Sequence, residues 1–294
     1  MRVAVTGGAG YIGSTLIRHL LKEGHEVTSL DNQTTGSYRH IKQLNASGAR
    51  LLEGDIRNTA DLDIAFREAD AVVHMAALSD LDSCNEKPDE AISVNVYGTH
   101  RVAESAAKNG VQKLVFCSSA AVYGTPATIP VTEETPTQPL NLYGVTKLAS
   151  EKILDAAHAT GGLENVNLRF GNVYGVGLYT NWVGVIPKFA ALAIEGKPLT
   201  IYGDGESTRD FVHVEDITRA IALSLIAEEI GGETFNIGNE TTTVNEIAAT
   251  ISEEARKATG NTVKTTHLQP RPGETKEFSY DTAKIRLALG FKPK

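Results

Sequence analysis

Short apolar runs rich in β-branched residues alternate with longer amphipathic stretches through residues 1–170. The runs predict strands, and the stretches, whose apolar residues recur at helical spacing, predict helices. The predicted strands are residues 3–5, 25–30, 50–53, 71–73, 114–116 and 166–170, and the predicted helices are residues 11–21, 88–108 and 141–159. Strands that alternate with helices in this way indicate an α/β fold with a doubly wound parallel sheet, covered by helices on both faces.

The regular alternation ends at Phe170. Residues 171–187 are rich in Gly, Asn, Tyr and Pro and predict a loop, and residues 261–278 predict a second loop-rich stretch. Residues 209–227 and 234–238 are regular enough to rejoin the large sheet. Open α/β sheets bind ligands at the carboxyl ends of their strands, so we expect the irregular segments to form a lobe there.

These segments divide the chain into two expected units. A Rossmann-type dinucleotide-binding domain comprises residues 1–170, with 209–238 returning to it, and a smaller, mostly C-terminal substrate-binding lobe comprises residues 171–208 and 239–294. The lobe is therefore not a contiguous second half of the chain but a set of inserts and a tail around one large sheet.

Composition narrows the possible functions. Hydrophobic residues make up 41% of the 294 positions, enough for a buried core. The 28 basic and 36 acidic residues give a formal net charge of −8, which argues against sequence-independent nucleic-acid binding because that requires a basic surface. Two cysteines exclude a disulfide framework, and no His or Cys cluster has metal-ligand spacing. No signal peptide or membrane-spanning run is visible, so we expect a cytoplasmic protein.

A glycine-rich turn joins the first predicted strand to the first helix. Gly7, Gly10 and Gly13 are spaced three apart there, a pattern that allows a tight turn, close approach of a phosphate and close helix–sheet packing. The helix N-terminus adds N–H groups that attract a pyrophosphate. Asp31 ends the second strand, followed by Asn32. An acidic residue there accepts hydrogen bonds from ribose hydroxyls and repels a 2′-phosphate, which favours NAD over NADP.

Tyr143 and Lys147 lie four residues apart near the start of a predicted helix, and therefore on one face of it. An ammonium group beside a phenol stabilises the phenolate, which makes the tyrosine a usable base near neutral pH. Pairs with this spacing are common in proteins of every kind. Here, however, the pair follows a dinucleotide loop, and Ser118 and Ser119 end the preceding strand at the edge where ligands bind.

Taken in order, the motifs of the chain resemble those of the extended short-chain dehydrogenase/reductase family, the NAD-dependent nucleotide-sugar epimerases and dehydratases, and look most like those of the UDP-glucose 4-epimerases. The matching motifs are Thr6-Gly7-Gly8-Ala9-Gly10-Tyr11-Ile12-Gly13, Asp31-Asn32, Asp55-Ile56, His74-Met75-Ala76-Ala77, Asn95-Val96-Tyr97-Gly98-Thr99, Ser118-Ser119-Ala120-Ala121-Val122-Tyr123-Gly124, Tyr143-Gly144-Val145-Thr146-Lys147, Arg169-Phe170-Gly171-Asn172-Val173-Tyr174-Gly175, Gly203-Asp204-Gly205, Arg209-Asp210-Phe211 and Arg271-Pro272-Gly273-Glu274. They span nearly the whole chain, which makes the resemblance specific.

The resemblance implies NAD as the cofactor and implies which residues bind it. They are Gly7, Gly10, Tyr11, Ile12, Gly13, Asp31, Asn32, Thr35, Gly36, Asp55, Ile56, Met75, Ala76, Ala77, Asn95, Ser118, Tyr143, Lys147 and Phe170. It also implies that Tyr143 is the catalytic base, that Lys147 is its electrostatic partner and a ribose ligand, and that Ser119 orients the sugar. No metal is implied.

The resemblance further implies a nucleotide-sugar substrate, a UDP-hexose. The implied substrate residues are Ser79, Ser119, Tyr143, Asn172, Gly184, Val185, Thr200, Tyr202, Arg209, Arg271 and Glu274. Within this set, Asn172 and the two arginines would hold the diphosphate, the residues from Gly184 to Tyr202 would bracket the base, and Glu274 would meet the ribose. Planar guanidinium groups suit a diphosphate because they bind it in a bidentate way.

The two residues after Ser119 separate the reactions within the family. Dehydratases of this kind carry an acidic pair there, whereas this chain has Ala120 and Ala121, neither of which transfers a proton. The resemblance then favours 4-epimerisation of a UDP-hexose through a transient 4-keto intermediate. A dehydratase or reductase and a non-catalytic NAD-binding regulator stay open as alternatives. Asp80 and Asp82 either face the sugar or point to solvent.

The resemblance also implies a homodimer. Its interface would form through the helices at residues 88–108 and 141–159. His74 ends an apolar strand and is expected to be structural.

Overall fold

A computed structural model of the chain describes residues 1–43, 48–179, 184–270 and 277–294. Its strands are β1 (Arg2–Thr6), β2 (Glu26–Asp31), β3 (Ala49–Glu53), β4 (Ala71–His74), β5 (Lys113–Ser119), β6 (Glu164–Phe170), β7 (Asn172–Tyr174), β8 (Leu199–Tyr202), β9 (Thr208–His213), β10 (Thr234–Ile237), β11 (Glu240–Thr243) and β12 (Thr265–Leu268). Its α-helices are α1 (Tyr11–Lys22), α2 (Arg39–Lys42), α3 (Thr59–Phe66), α4 (Leu81–Glu86), α5 (Pro88–Ile92), α6 (Gly98–Lys108), α7 (Leu142–Gly161), α8 (Val185–Ile194), α9 (Val214–Ile226), α10 (Val244–Thr259) and α11 (Ala283–Leu289).

Seven strands form the central sheet in the spatial order β3-β2-β1-β4-β5-β6-β10, and every neighbouring pair is parallel. This arrangement confirms the predicted doubly wound α/β fold. The chain order reverses between β1 and β4, which lie side by side. In such sheets the crevice at this switch point, outside the carboxyl ends of the strands, is where ligands bind.

Two apolar clusters cover the two faces of the sheet. Val3 and Val5 of β1 belong to the cluster formed with α1 and α9, whereas Ala4 belongs to the cluster formed with α3, α6 and α7. Successive side chains of a strand point to opposite faces, so a strand buried on both sides needs apolar residues at every position. This is why the strands appear in the sequence as continuous apolar runs.

Two small sheets lie outside the central one, and they correct three expectations. The predicted loop at residues 171–187 contains β7 and the start of α8, and the loop-rich stretch 261–278 contains β12. Strand β9, expected in the large sheet, pairs instead with β7 and β11, while β10 does join the large sheet. Strand β12 is exposed along its whole length and, among the described residues, pairs with β8 alone, so no apolar pattern marks it in the sequence.

The predicted helix at residues 88–108 contains a π-helical turn. Helix α5 passes into this turn at Ser93–Tyr97 and then into α6 without a break. Such turns are rare and frequently lie at functional sites. Within the described residues, none of the helices is both long and apolar enough to cross a membrane.

Candidate active site

The turn between β1 and α1 is shaped by two crowded glycines. Gly7 has φ +78°, and a Cβ there would lie 2.6 Å from the backbone nitrogen of Ala76. A Cβ at Gly13 would lie 2.2 Å from the carbonyl oxygen of Gly7. Among the residues that the structure describes, no side chain caps the N-terminus of α1, which begins just after Gly10. Glycine thus lets the backbone pack closely while the uncapped helix N-terminus is left for an anion, and this cradle fits a dinucleotide pyrophosphate.

Asp31 lies beside this cradle at the end of β2. Its carboxylate accepts hydrogen bonds from the backbone N–H groups of Ala9, at 2.9 Å, and Gln33, at 2.7 Å. Burial raises the pKa of Asp31, and the two N–H groups partly oppose that shift. The loop after β2 packs closely against the cradle at Gly36. A Cβ at that position would lie 2.2 Å from the Ala9 carbonyl oxygen. This position suits a carboxylate that meets the adenosine ribose.

The remaining predicted cofactor residues follow the carboxyl ends of the other strands. Asp55, after β3, is held by the Arg57 guanidinium (Nε to Oδ1, 2.9 Å), which keeps the pKa of Asp55 below its usual value. Met75, Ala76 and Ala77 follow β4, and the Ala76 N–H donates to the Thr6 hydroxyl at 3.3 Å. Asn32, Thr35 and Ile56 lie in the loops after β2 and β3, and the buried Phe170 ends β6.

Asn95 lies buried in the π-helical turn and joins two parts of the crevice. Its Oδ1 accepts the Leu78 N–H at 2.8 Å, and its Nδ2 donates to the Leu78 carbonyl and to the Thr146 hydroxyl, each at 3.0 Å. It therefore fixes the loop after β4 to helix α7. His74 lies nearby, buried between the hydroxyls of Thr6, at 2.7 Å, and Thr99, at 2.9 Å. Burial lowers the pKa of His74 to about 3, in keeping with a neutral, structural residue.

Ser119, Tyr143 and Lys147 meet where β5 ends and α7 begins. Asn141 caps α7 by accepting the Gly144 N–H at 2.8 Å, which fixes the first turn that carries Tyr143. The Ser119 hydroxyl is hydrogen-bonded to the Tyr143 phenol. Lys147 Nζ lies 5.9 Å from the centre of the Tyr143 ring.

Burial acts on both titratable groups of this trio. It raises the pKa of Tyr143 to about 12, against the opposing effect of the Ser119 hydrogen bond. It lowers the pKa of Lys147 to about 8. The ammonium is stabilised by the Cys117 carbonyl oxygen at 2.8 Å and by the Phe116 ring, whose centre lies 4.7 Å away. Burial alone makes Tyr143 a poor base, so a general base here requires a nearby positive charge, such as the Lys147 ammonium, to favour the phenolate.

Comparison with known proteins identifies the family. The model of the NAD dependent epimerase/dehydratase family matches residues 3–238. The chain belongs to this family. It is 36% identical to a UDP-glucose 4-epimerase of Lactobacillus helveticus, over 100% of this chain and 92% of the relative. It is 33% identical to a dTDP-glucose 4,6-dehydratase of Streptomyces niveus, over 100% of this chain and 88% of that relative.

A solved structure supports the same assignment. The UDP-glucose 4-epimerase of Thermus thermophilus in complex with NAD superimposes with a TM-score of 0.89, at 34% identity, over 100% of this chain and 94% of the other. NAD is the cofactor of this epimerase/dehydratase family, and the cradle around Gly7 fits it.

Four of the eleven predicted substrate residues of this family member lie on the two small sheets. Asn172 begins β7, and its Nδ2 donates to the Asp210 carbonyl of β9 at 3.3 Å. Arg209 precedes Asp210 on β9, the strand that pairs with β7. Gly184 and Val185 begin α8, and Thr200 and Tyr202 lie on β8. Ser79 lies in the loop after β4, and Arg271 and Glu274 lie outside the described residues.

The two carboxylates after β4 differ in their surroundings. Asp80 caps helix α4, where it accepts the Ser83 N–H at 2.8 Å and the Ser83 hydroxyl at 2.7 Å. Asp82 is exposed in the first turn of α4. The Asp80 carboxylate therefore has a structural partner of its own.

Sequence reasoning did not single out Glu151 and Arg169. Both are buried, and Arg169 Nη2 donates to Glu151 Oε2 at 2.7 Å. The Ser118 hydroxyl, expected to face the cofactor, donates to the same carboxylate. Two features of the sequence pointed to them: an acidic residue four positions after Lys147, on the same helix face, and an arginine within the predicted strand 166–170.

Proposed function

We propose that the protein catalyses NAD-dependent 4-epimerisation of a UDP-hexose such as UDP-glucose or UDP-galactose. The observation that carries the proposal is the cluster of Ser119, Tyr143 and Lys147 at the carboxyl edge of the sheet. Ala120 and Ala121 follow Ser119 in a short 3₁₀ turn, and neither side chain transfers protons. 4-Epimerisation needs one group that removes and returns a proton and a cofactor that carries the hydride. It needs no second acid–base pair, so it matches the residues present here.

In the proposed mechanism Tyr143 manages the single proton. Its phenolate removes the proton of the sugar 4-hydroxyl and returns it once C4 has regained its hydrogen. Ser119, hydrogen-bonded to the phenol, holds the 4-oxygen beside it. The Lys147 ammonium stabilises the phenolate, so it must stay charged for the tyrosine to act as a base.

NAD, when bound, would supply the reversible hydride acceptor that inversion at C4 requires. The cradle at Gly7, Gly10 and Gly13 would hold its pyrophosphate, and Asp31 its adenosine ribose. Lys147 would reach its nicotinamide ribose. Asn95 supports this half of the crevice by fixing the loop after β4.

We propose that residues 171–208 and 239–294 form the lobe that binds the nucleotide of the substrate. Asn172 and Arg209 lie on adjacent strands, where an amide and a guanidinium suit a diphosphate. The start of α8 and strand β8 are joined in one apolar cluster through Val185 and the buried Ile201, and the neighbouring Tyr202 of β8 is partly exposed and offers its ring to a planar base. Arg271, Glu274 and Ser79 are proposed to complete the site.

Product analysis tests the proposed reaction. The protein is incubated with UDP-glucose, UDP-galactose and their N-acetyl forms, and the products are resolved by NMR. An epimerase gives the 4-epimer with no net change in the redox state of NAD. Loss of water from the sugar indicates a dehydratase, and stoichiometric NAD reduction or NADH consumption indicates a dehydrogenase or reductase. No conversion of any of the four sugars refutes the proposal.

We propose in addition that two chains associate through the helices that flank the catalytic trio. Tyr97 in the π-helical turn and Val145 in α7 are 49% and 47% exposed, so each of these elements presents an apolar side chain that a second chain would cover. Light scattering of the wild type and of a Tyr97→Glu, Val145→Glu double variant measures the oligomeric state. A wild-type monomer contradicts the proposal.

A further inference from the structure

A buried ion pair lies one helical turn behind the catalytic trio. Glu151 is 1% and Arg169 is 5% exposed. Arg169 donates to the two carboxylate oxygens, from Nε at 3.0 Å and from Nη2 at 2.7 Å. Its Nη1 donates to the Tyr123 hydroxyl at 2.7 Å, and that hydroxyl donates to Asn236 Oδ1, also at 2.7 Å. The pair thus anchors a polar chain that runs from α7 to the edge strand β10.

Stability alone does not account for such a pair. Removing two charges from water is costly, and apolar residues of similar volume often give an equally stable or more stable protein. A buried pair beside a reactive site is therefore a candidate for a role in that site.

Glu151 lies next to both elements that carry the proposed site, helix α7 and strand β5. On α7 it lies one turn after Lys147, where i and i+4 side chains share a face. On β5 it accepts the hydroxyl of Ser118. Ser118 lies between two residues of the site. The Cys117 carbonyl oxygen accepts a hydrogen bond from the Lys147 ammonium, and Ser119 is hydrogen-bonded to Tyr143.

The other titratable groups around Lys147 are neutral near pH 7. Burial raises the pKa of the Cys117 thiol of β5 to about 12, and burial likewise raises the pKa of the Cys84 thiol of α4. His74 of β4 is neutral for the reason given above, and Tyr143 on the same helix has its pKa raised. Cys117, Glu151 and Cys84, in that order, oppose the effect of burial on Lys147 by raising the pKa of its ammonium, and Glu151 is the one carboxylate among the three.

We propose that Glu151 is a positioning residue of the proton-transfer site, which holds the end of β5 through Ser118 and keeps Lys147 in its charged form. Arg169 fixes the carboxylate in place through two hydrogen bonds. The inference rests on the proposed roles of Tyr143 and Lys147, but the charge state of Lys147 is measurable without any turnover.

The direct test is an NMR titration of Lys147 in the full chain labelled with ¹³C-lysine, with NAD bound. The Lys147 Cε resonance is assigned by its absence in Lys147→Met. In Glu151→Gln the titration midpoint should fall by about one pH unit, the effect of losing one charge at the separation of neighbouring helical turns. The matched control is Asp155→Asn, which removes a carboxylate one turn further along α7 and should leave the midpoint within about 0.3 units.

Activity provides the second measurement. If the proposed function holds, the alkaline limb of the kcat/KM profile moves to lower pH in Glu151→Gln by the same amount, because Lys147 loses its proton earlier. A shifted midpoint without detectable epimerisation upholds the role of Glu151 and counts against the proposed reaction only.

An unchanged Lys147 midpoint in folded Glu151→Gln overturns the inference. If that variant fails to fold, because Arg169 is left unpaired, the double variant Glu151→Leu, Arg169→Met replaces it, since it removes both charges at similar volume. The double variant should also show a lowered midpoint, and a wild-type midpoint in it overturns the inference equally.

Discussion

Replacing Lys147 by Met isolates the energetic cost of the proposed catalytic ammonium. Lys147 is 4% exposed, and burial lowers its pKa from 10.5 to about 8. That difference corresponds to about 3 kcal/mol of destabilisation at neutral pH, where the folded protein carries a charge it holds poorly. Met has similar length and no charge. Losing the hydrogen bond to the Cys117 carbonyl costs about 1 kcal/mol, so we expect Lys147→Met to be more stable at pH 7 by about 2 kcal/mol.

The stability advantage of Lys147→Met over the wild type should decrease as the pH rises. Between about pH 8 and 10.5 the unfolded chain binds the Lys147 proton and the folded chain does not, so wild-type stability rises with pH through this window. The advantage of Lys147→Met should therefore shrink by about 2 kcal/mol between pH 7 and about pH 9.5. Urea unfolding of NAD-stripped protein at the two pH values measures it, because bound ligand would add to the stability.

Lys152→Met is the control for this experiment. Lys152 lies on the same helix but is 66% exposed and pairs with Asp155 at the surface. Its replacement should change the free energy of unfolding by less than about 0.5 kcal/mol at either pH. A Lys147→Met variant that is less stable than the wild type at pH 7, or whose advantage does not change with pH, refutes the reasoning.

Three further predictions concern the cofactor cradle, the base and the buried histidine. A Cβ at Gly13 would lie 2.2 Å from the Gly7 carbonyl oxygen, so Gly13→Ala should weaken NAD binding at least about tenfold by calorimetry; Gly161→Ala, which meets open space, should not. Tyr143→Phe should lower epimerase turnover about 10²–10⁴-fold while NAD still binds; unchanged turnover contradicts its role. Because the pKa of His74 falls from 6.5 to about 3 on folding, the wild type should lose about 2 kcal/mol more than His74→Gln between pH 7 and pH 5 in urea titrations, and equal losses would contradict this.

The features that the sequence predicted correctly depend on the spacing of residues that are close together in the chain. The strand–glycine–helix turn around Gly7 and the apolar runs of the central sheet each occupy consecutive residues, so their periodicity is visible in one chain. The spacing of Tyr143 and Lys147 places both on one helix face in the same way, and the structure brings Ser119 to them.

The features that it missed depend on tertiary partners. The π-helical turn that buries Asn95 follows from hydrogen bonds to Leu78 and Thr146, which are 17 and 51 residues away. Strand β12 is paired with the edge of β8, and its own residues carry no apolar alternation that would predict it. The partnership of Glu151 and Arg169 joins a helix to a strand, so neither residue alone predicts it.

The two consecutive serines of β5 show how local spacing and tertiary contacts together determine the site. Because side chains alternate along a strand, Ser118 and Ser119 face different neighbours even though they form one motif. Ser118 belongs with Phe116, on the side covered by α7, and meets Glu151; Ser119 reaches Tyr143 at the strand end. One hydroxyl thus anchors the strand while the next meets the proposed base, and a carboxylate on α7 links the position of the strand to the charge of Lys147.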